Sequence, residues 1–526
     1  MRKSAIFLLF VAFCLTILGL SAQGGIAVPP QTARPKTEAE GKQKPEDSKQ
    51  RPVAKSKVYL LHSDLLRKDA THPDAQIVTG NVRFRHDSVY MYCDSACYYD
   101  KVSSFEAFGN VKMVQGDTLF LYGDRLYYDG LTQIAEMRCN VRMENRTTTL
   151  LTDSLNYDRV YNLGYFFDGG TLMDEQNVLT SEWGEYSPQT KQSVFNYNVK
   201  LVNPQFTLTS DTLRYNTASK VADIVGPSDI WSDANHIYSE KGTYNTVTGK
   251  ADLYDRSVLT NQGKQLTGDT LFYDRNTGVG EVFSRMVMTD TINRNMLTGE
   301  YGYYNEQTDY AFATDSAVAI DYSQGDSLFL HADTLLMETF HQNTDSMFRE
   351  MRAFHKVRFY RTDVQGTADS LVFSTVDSCL TMYRDPIIWN KNQQLLGEVI
   401  KVYMNDSTID WSHIIGQALS VERVDSTIYN QVTGKEMKSY FTNGEMRKTE
   451  VIGSVRVVYY PMDSDSTLIG MNVSETSKLE IYLQDRKIER MVMSPKSNGV
   501  LYPMSQIPAG KDRLENFVWF DYIRPL

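Results

Sequence analysis

The stretch "LTGDTLFYDRNTG" at residues 266–278 is one of a set of near-copies. "LTSDTLRYNTASK" starts at Leu208 and "LLTDSLNYDRVYN" at Leu150, and variants start at Leu179, Ile237 and Leu297. Each copy carries an acid at the same place: Asp94, Asp124, Asp153, Glu182, Asp211, Glu240, Asp269, Glu300, Asp333, Asp369 and Glu398. The steps between these anchors are 30, 29, 29, 29, 29, 29, 31, 33, 36 and 29 residues. A period of this length marks a stacked-repeat architecture, in which neighbouring units bury a face that none could bury alone.

Within a unit the spacing is that of a strand. Two residues after the anchor stands a small or aliphatic residue, and four after it a tyrosine from Tyr98 through Tyr304, then Met337, Phe373 and Val402. Offsets of two and four lie on one face of a strand, and the three-and-four spacing of a helix is missing. Turn formers follow the tyrosine, as in "DRNTG" from Asp274. Ten to fifteen residues before many anchors comes a second apolar segment: "GNVRF" at Gly80, "GNVKMV" at Gly109, "CNVRM" at Cys139, "YNVKLV" at Tyr197 and "HKVRFY" at His355. The unit reads as strand, loop, strand, turn. From Asp153 to Asp333 the anchors alternate Asp and Glu, with Leu two residues after each Asp and Gly two after each Glu, which sets bulk against space between rungs.

The spacing predicts an all-β fold, with Leu126, Leu155, Leu213, Leu271, Leu335 and Leu371 pointing inward. Tyr128, Tyr157, Tyr215 and Tyr273 should share that face. With 526 residues the chain can hold several domains, and 41% hydrophobic content is globular. A net charge of −11 without a basic stripe argues against nucleic-acid binding. "MRKSAIFLLFVAFCLTILGLSA" at 1–22 reads as an export signal, with a retained anchor as the alternative. Residues 23–54 are Pro-rich and charged, a linker. Cys93 and Cys97 lie too far apart along one strand to bridge each other; either could reach Cys139, and buried thiols are an equal reading, for Cys379 too.

Catalytic chemistry is not legible. Eleven equivalent acids read as residues bonding local backbone, not as an acid–base pair with divergent environments. The eight histidines show no metal-ligand spacing, there is no G-x-S-x-G elbow, and "GVGEV" at Gly278 sits between strands with no helix after it. The expectation is a non-enzyme with no cofactor and no metal.

The segments "FGNVKMVQGDTLFLYGDRLYYDG" (108–130), "LTSDTLRYNTASKVADIVG" (208–226) and "LTGDTLFYDRNTGVGEV" (266–282), behind an export signal, resemble the OstA-like (LptA-like) family of periplasmic lipopolysaccharide-transport proteins, over roughly residues 58–407. The resemblance implies a β-jellyroll, a folded-over antiparallel sheet whose apolar interior shelters lipid A acyl chains. It makes the six leucines and four tyrosines above candidates for lining the lipid. Lipopolysaccharide is the implied ligand. The implied partners are other transport components of the inner and outer membranes, joined by edge-strand pairing, and further copies of the chain head to tail. The location implied is the periplasm, with possible association with the outer membrane. The alternative from a different class is a structural β-solenoid or adhesin with a closed core.

The domain expectation is a first OstA-like region at 55–226, a second at 227–407 and a C-terminal β region with a capping tail at 408–526. After Glu398 the register fades. "TNGEMRKTEVIGSVRVVYYP" from Thr442 reads as a degenerate unit and residues 478–494 as a hairpin. Leu514, Phe517, Val518 and Trp519 have helical or edge-capping spacing, for a cap over the last rung or a docking surface.

Overall fold

The computed structural model describes residues 56–525 apart from 69–72, 233–234, 262, 324, 343, 406–407, 464, 466 and 485–486. The export-signal and linker expectations at 1–22 and 23–54 lie outside the described residues. The described chain is almost wholly antiparallel β-sheet, with only three-residue helical turns such as Asp100–Val102. It forms two compact units. The N-terminal unit holds the described residues up to 232 together with Thr243–Val247; the C-terminal unit holds 235–242 and everything from Thr248 onward.

One repeat is two long strands, each bent at its middle. Strand Leu119–Asp129 carries Asp124 at its centre, strand Ile134–Asn145 follows, and strand Thr148–Asp158 carries Asp153 at its centre. The loop expected between the "NV" segment and the next anchor is therefore a tight turn, Arg146 and Thr147. The "GN" pairs do not begin strands. They are the bends: Gly80 and Asn81 have φ of 77° and 47°, Gly109 and Asn110 have 75° and 45°, and the ladder register shifts there. Two successive left-handed residues turn the strand while its inward residues keep their parity, as with Met137 before the bend and Val141 after it. Glycine and asparagine adopt that conformation at least cost, which explains the motif. Later bends use Cys139–Asn140, Tyr197–Asn198, Ser284–Arg285 and His355–Lys356 in the same conformation. These less suitable residues, each costing about 1 kcal/mol, are held by the strands on both sides.

The bends also explain the anchors. Asn110 donates to Asp94 (2.8 Å), Asn140 to Asp124 (2.6 Å), Asn198 to Glu182 (2.5 Å) and Arg285 to Asp269 (2.6 Å). These four acids thus hold the bend of the next strand through side-chain bonds, while Asp153 and Glu300 bond the bend of the strand before them. Backbone amides take part at Asp153 and Glu300, from Asn140 and Arg285 (both 3.3 Å).

Bending every strand folds each unit's sheet into two arms with an interior between them. All six leucines of the inward set are buried, from Leu155, Leu213 and Leu271 at 0% exposure to Leu335 at 8%, and the four tyrosines with them. Each such leucine stabilises the fold by about 1.5–3 kcal/mol. The glycine alternation has the expected reason: a Cβ on Gly184 would lie 2.5 Å from the Phe166 ring, and one on Gly302 would lie 2.6 Å from Met286.

Beyond Glu398 the bends continue although the motif has gone, at Gly416–Gln417 and Gly453–Ser454. Strands Gly470–Gln484 and Lys487–Pro503 form the hairpin expected there. Leu514 to Trp519 form no helix, the tail's one helical turn being Asp521–Ile523, and the tail does not cap the last rung. It runs back along the outer face, where Leu514 joins Leu419, Val421, Val458, Tyr460 and Met471, with Phe517 and Trp519 packed against them. Three buried glutamines hold it: Gln431 bonds Asp512 and Leu514, Gln394 bonds Val518 and Phe520, and Gln365 accepts from Arg524. A chain segment without a ladder needs such partners for its backbone, and the glutamines supply them.

Candidate ligand cavity

The inward tyrosines stand at the end of one arm, farthest from the bend. From Tyr128 onward each lies beside a small residue seven positions later, so that Tyr128 pairs with Ala135, Tyr157 with Gly164, Tyr186 with Ser193 and Tyr215 with Ala222, whereas Tyr98 pairs with Phe105. The small neighbour leaves room for the ring. This seven-residue offset was present in the sequence and would have marked the same row.

In the N-terminal unit the hydroxyls of Tyr128 and Tyr215 reach the opposite arm, whereas Tyr157 bonds the nearby Asn162 and the Tyr186 hydroxyl is buried without a hydrogen-bond partner. Tyr128 meets His86 Nδ1 at 2.7 Å, and Arg159 donates to Tyr128 at 2.5 Å. Tyr215 donates to Asp174 at 2.8 Å and accepts from Asn177 at 2.9 Å; Lys220 neutralises the fully buried Asp174 from 2.8 Å. Tyr98 donates to the Val58 carbonyl at 2.8 Å. Burial pushes the Tyr128 phenol up to about 12, so it stays a neutral donor. Burial, reinforced by Arg159, holds the His86 imidazole below its ordinary range. Behind this polar seam Phe84 and Phe105 stack at 4.1 Å between centroids. The interior is shut there.

The row continues in the C-terminal unit and then fails. Tyr273 pairs with Gly280, Gly280 with Tyr304, and Tyr304 with Ala311, but Ala311 pairs with Met337 and Met337 with Met351. Tyr273 still accepts a bond from Asn235 across the mouth (2.7 Å). Tyr304 has the Lys264 ammonium 5.9 Å from its ring centroid instead, and its hydroxyl has no hydrogen-bond partner among the described residues. Met337 has no hydroxyl at all.

At that gap the arms enclose a cavity of about 380 Å³, which includes Leu259, Leu266, Met288, Tyr304 and Met337 in its wall. It reaches the surface at Ile292, which is 65% exposed. A smaller space of about 80 Å³ shares Met288 and Met337 with it and is walled by Leu297, Leu330, Leu335 and Met351. The mouth is polar: Asn261 bonds Glu306, Arg349 donates to Asp309 at 2.6 Å, and Lys264 and Asp290 complete the rim. Burial raises the Glu306 carboxyl above its usual range, with Lys264 and Asn261 opposing. A third space of about 330 Å³ lies farther along the interior, between Leu395, Val432, Val457, Ile481 and Met491.

Of the ten inward residues, Tyr273 and Leu335 border cavity; the other eight are packed against protein. The methionines and charged rim that shape the mouth were not singled out by the repeat, because they depart from it. Among the described residues no group of three or more His, Cys, Asp or Glu could hold a metal ion, and all four described cysteines are free thiols. No described helix is long and apolar enough to cross a membrane.

Comparison with curated protein sequences returns no match. Among solved structures the chain is similar to LptH, the LptA homologous periplasmic component of the lipopolysaccharide transport device from Pseudomonas aeruginosa. Identity is 13%, with 27% of this chain and 95% of that one covered and a TM-score of 0.21, too low for residue correspondences. The family model of OstA-like proteins matches residues 55–211, 207–269 and 230–322, which together span more than half of the chain; this protein therefore belongs to the OstA-like family.

Proposed function

We propose that this protein is a periplasmic carrier of lipopolysaccharide, sheltering acyl chains between the two arms of its sheet and forming part of a bridge between inner and outer membranes. The observation that carries the reading is the amphipathic cavity of the C-terminal unit, with an apolar wall inside and a charged rim outside. A volume near 380 Å³ falls in the range of about 300–1,000 Å³ typical of ligand sites. Each methylene hidden from water contributes about 0.8 kcal/mol, so a chain of about ten gains about 8 kcal/mol from such a wall. Lys264 and Arg349 stand at this rim beside Asp290, Glu306 and Asp309, and Arg349 is already paired with Asp309, which leaves Lys264 as the cation to meet an anionic headgroup. In this reading Tyr273 and Leu335 line the lipid. Leu126, Leu155, Leu213, Leu271, Leu371, Tyr128, Tyr157 and Tyr215 reach it only where the arms part.

The bridge is supported by open sheet edges. Strand Lys487–Pro503 pairs on one side only among the described residues, and Val500 and Leu501 on it are exposed. Strands Tyr59–His62 and Leu65–Lys68 likewise pair only with Gln76–His86 and expose Tyr59, Leu61, Leu65 and Leu66. Such edges accept added strands from other transport components or from further copies.

The second reading, a structural solenoid, is favoured by the shut interior of the N-terminal unit. Photo-crosslinking residues placed at Met288, at Leu335 and at the outward Phe272 decide between them in cells. Lipopolysaccharide adducts at the first two and not the third are expected. Their absence from both inward positions would leave the scaffold reading.

A further inference from the structure

We infer that the outer face of one arm of the N-terminal unit docks on the surface of an anionic lipid bilayer. This face is on the outside of the sheet, and its docking does not depend on a lipid inside.

Cross-strand register assembles the face. One outward row runs Tyr59, Arg85, Tyr90, Val114, Phe120, and the next runs Arg83, Tyr92, Lys112, Tyr122, Arg142. Both alternate with the buried Phe84, Met91, Met113 and Leu121, so they look away from the interior. Arg83, Lys112 and Arg142 stand 29 and 30 residues apart in the chain, which is why no basic stripe is visible in the sequence. Neither row holds an acid, in a chain whose net charge is −11. Arg83 and Arg85 are exposed and have no ion-pair or hydrogen-bond partner among the described residues. Lys112 lies 5.5 Å from the ring centroids of Phe120 and Tyr122, and of these cations only Arg142 meets a carboxylate, Glu144 at 3.2 Å. The outer face of the other arm differs: its row from Glu106 through Tyr127, Glu136 and Tyr165 to Glu185 carries three acids.

Each cationic row crosses five strands, about 20 Å, more than a single headgroup spans. Tyrosine beside arginine suits the headgroup level of a bilayer, where the ring enters the acyl boundary while hydroxyl and guanidinium stay with the phosphates. A polysaccharide would instead be gripped by amide and carboxylate side chains that bond its hydroxyls, and neither row has one. The chain before the face adds charge of the same sign. Residues 23–57 carry eight Lys or Arg against four Asp or Glu and lead into the face at Tyr59. Each cation brought to an anionic lipid surface raises the partition about fivefold. In the carrier reading this gives the N-terminal unit a membrane contact of its own, beside any partner at its sheet edge.

The test is co-sedimentation of the full mature protein with vesicles of equal parts phosphatidylethanolamine and phosphatidylglycerol, and with vesicles of phosphatidylcholine alone. Binding to the first, weakened by added salt, and not to the second is expected. Arg83→Gln together with Arg85→Gln should lower the partition about 25-fold. Arg125→Gln together with Arg214→Gln removes the same charge from exposed positions on the other arm and should lower it less than about twofold, because salt screens charges far from the bilayer. Melting temperatures of both double variants should match the parent, as exposed substitutions allow. Equal loss in the two pairs would overturn the face, since net charge alone would then be acting. No binding to the anionic vesicles, or equal binding to phosphatidylcholine, would overturn it as well. Binding to isolated peptidoglycan that needs Arg83 and Arg85, with none to vesicles, would overturn it in favour of an acidic glycan. Lipopolysaccharide adducts at Met288 and Leu335 should be the same in both double variants, so the carrier reading stands or falls separately.

Discussion

The two units use one repeat and reach opposite interiors. In the N-terminal unit every inward tyrosine sits beside a small or aromatic neighbour, and Tyr128 and Tyr215 bond across the mouth to His86 and Asp174. In the C-terminal unit the same row ends in Met337 and Met351, and a cavity takes the place of the seam. Backbone, bends and anchors are alike on both sides of this difference. The lesson is that the fold and the binding space are specified separately: the bends and leucines make the folded sheet, and the row at the mouth decides whether it closes.

Substitution of inward leucines by arginine should separate the units most sharply. Leu155→Arg buries an unpaired charge in a filled interior, costs about 3–5 kcal/mol and should abolish the melting transition of the N-terminal unit. Leu335→Arg places its guanidinium beside cavity, where the long side chain can extend toward the mouth, so the fold should persist while lipid capture is lost. Paired melting and crosslinking curves check both, and equal unfolding by the two variants would break the comparison.

Removing hydroxyls should show the seam's asymmetry at a smaller scale. Tyr215→Phe deprives a buried carboxylate of a donor and should cost about 1.5–3 kcal/mol. Tyr304→Phe removes a hydroxyl with no partner and should change stability by less than about 0.5 kcal/mol. Denaturant titration of each variant measures the difference.

Acid should weaken the closed unit through His86. Its folded pKa lies below the ordinary 6.5 because of burial and then Arg159, with Asp87 and the Ser56 carbonyl opposing. The unfolded chain therefore binds the proton first as pH falls through 6.5. The contribution is complete above that value and is lost progressively below it. The melting temperature of the N-terminal unit should fall between pH of about 7 and 5.5, with a shallower slope in His86→Gln. An unchanged slope would assign the acid sensitivity to other groups.

The smallest effect should come from the anchors. Asp269→Asn loses an exposed pair with Arg285 that other rungs duplicate, so neither melting nor lipid capture should change measurably. Loss of capture in a folded Asp269→Asn protein would reveal a site at the bends.

The period near 29, the strand spacing, the inward faces of Leu155 and Tyr215 and the partnering of leucine with glycine at Gly184 were all set by the sequence alone, because a strand's side chains alternate whatever surrounds it. The "GN" pairs could be read as a recurring signal but not as bends, since left-handed geometry at Cys139 or His355 is imposed by neighbouring strands against local preference. Likewise Leu514 and Trp519 announced a packing segment, while its place on the outer face depended on distant glutamines, Gln365 lying 159 residues from its partner Arg524. The seam and the cavity belonged wholly to the tertiary structure. Alternation tells which side of a strand looks inward and carries no measure of how far away the opposite arm lies. That distance is set by pairs such as Tyr215 with Asp174, 41 residues apart, and by their absence at Met337.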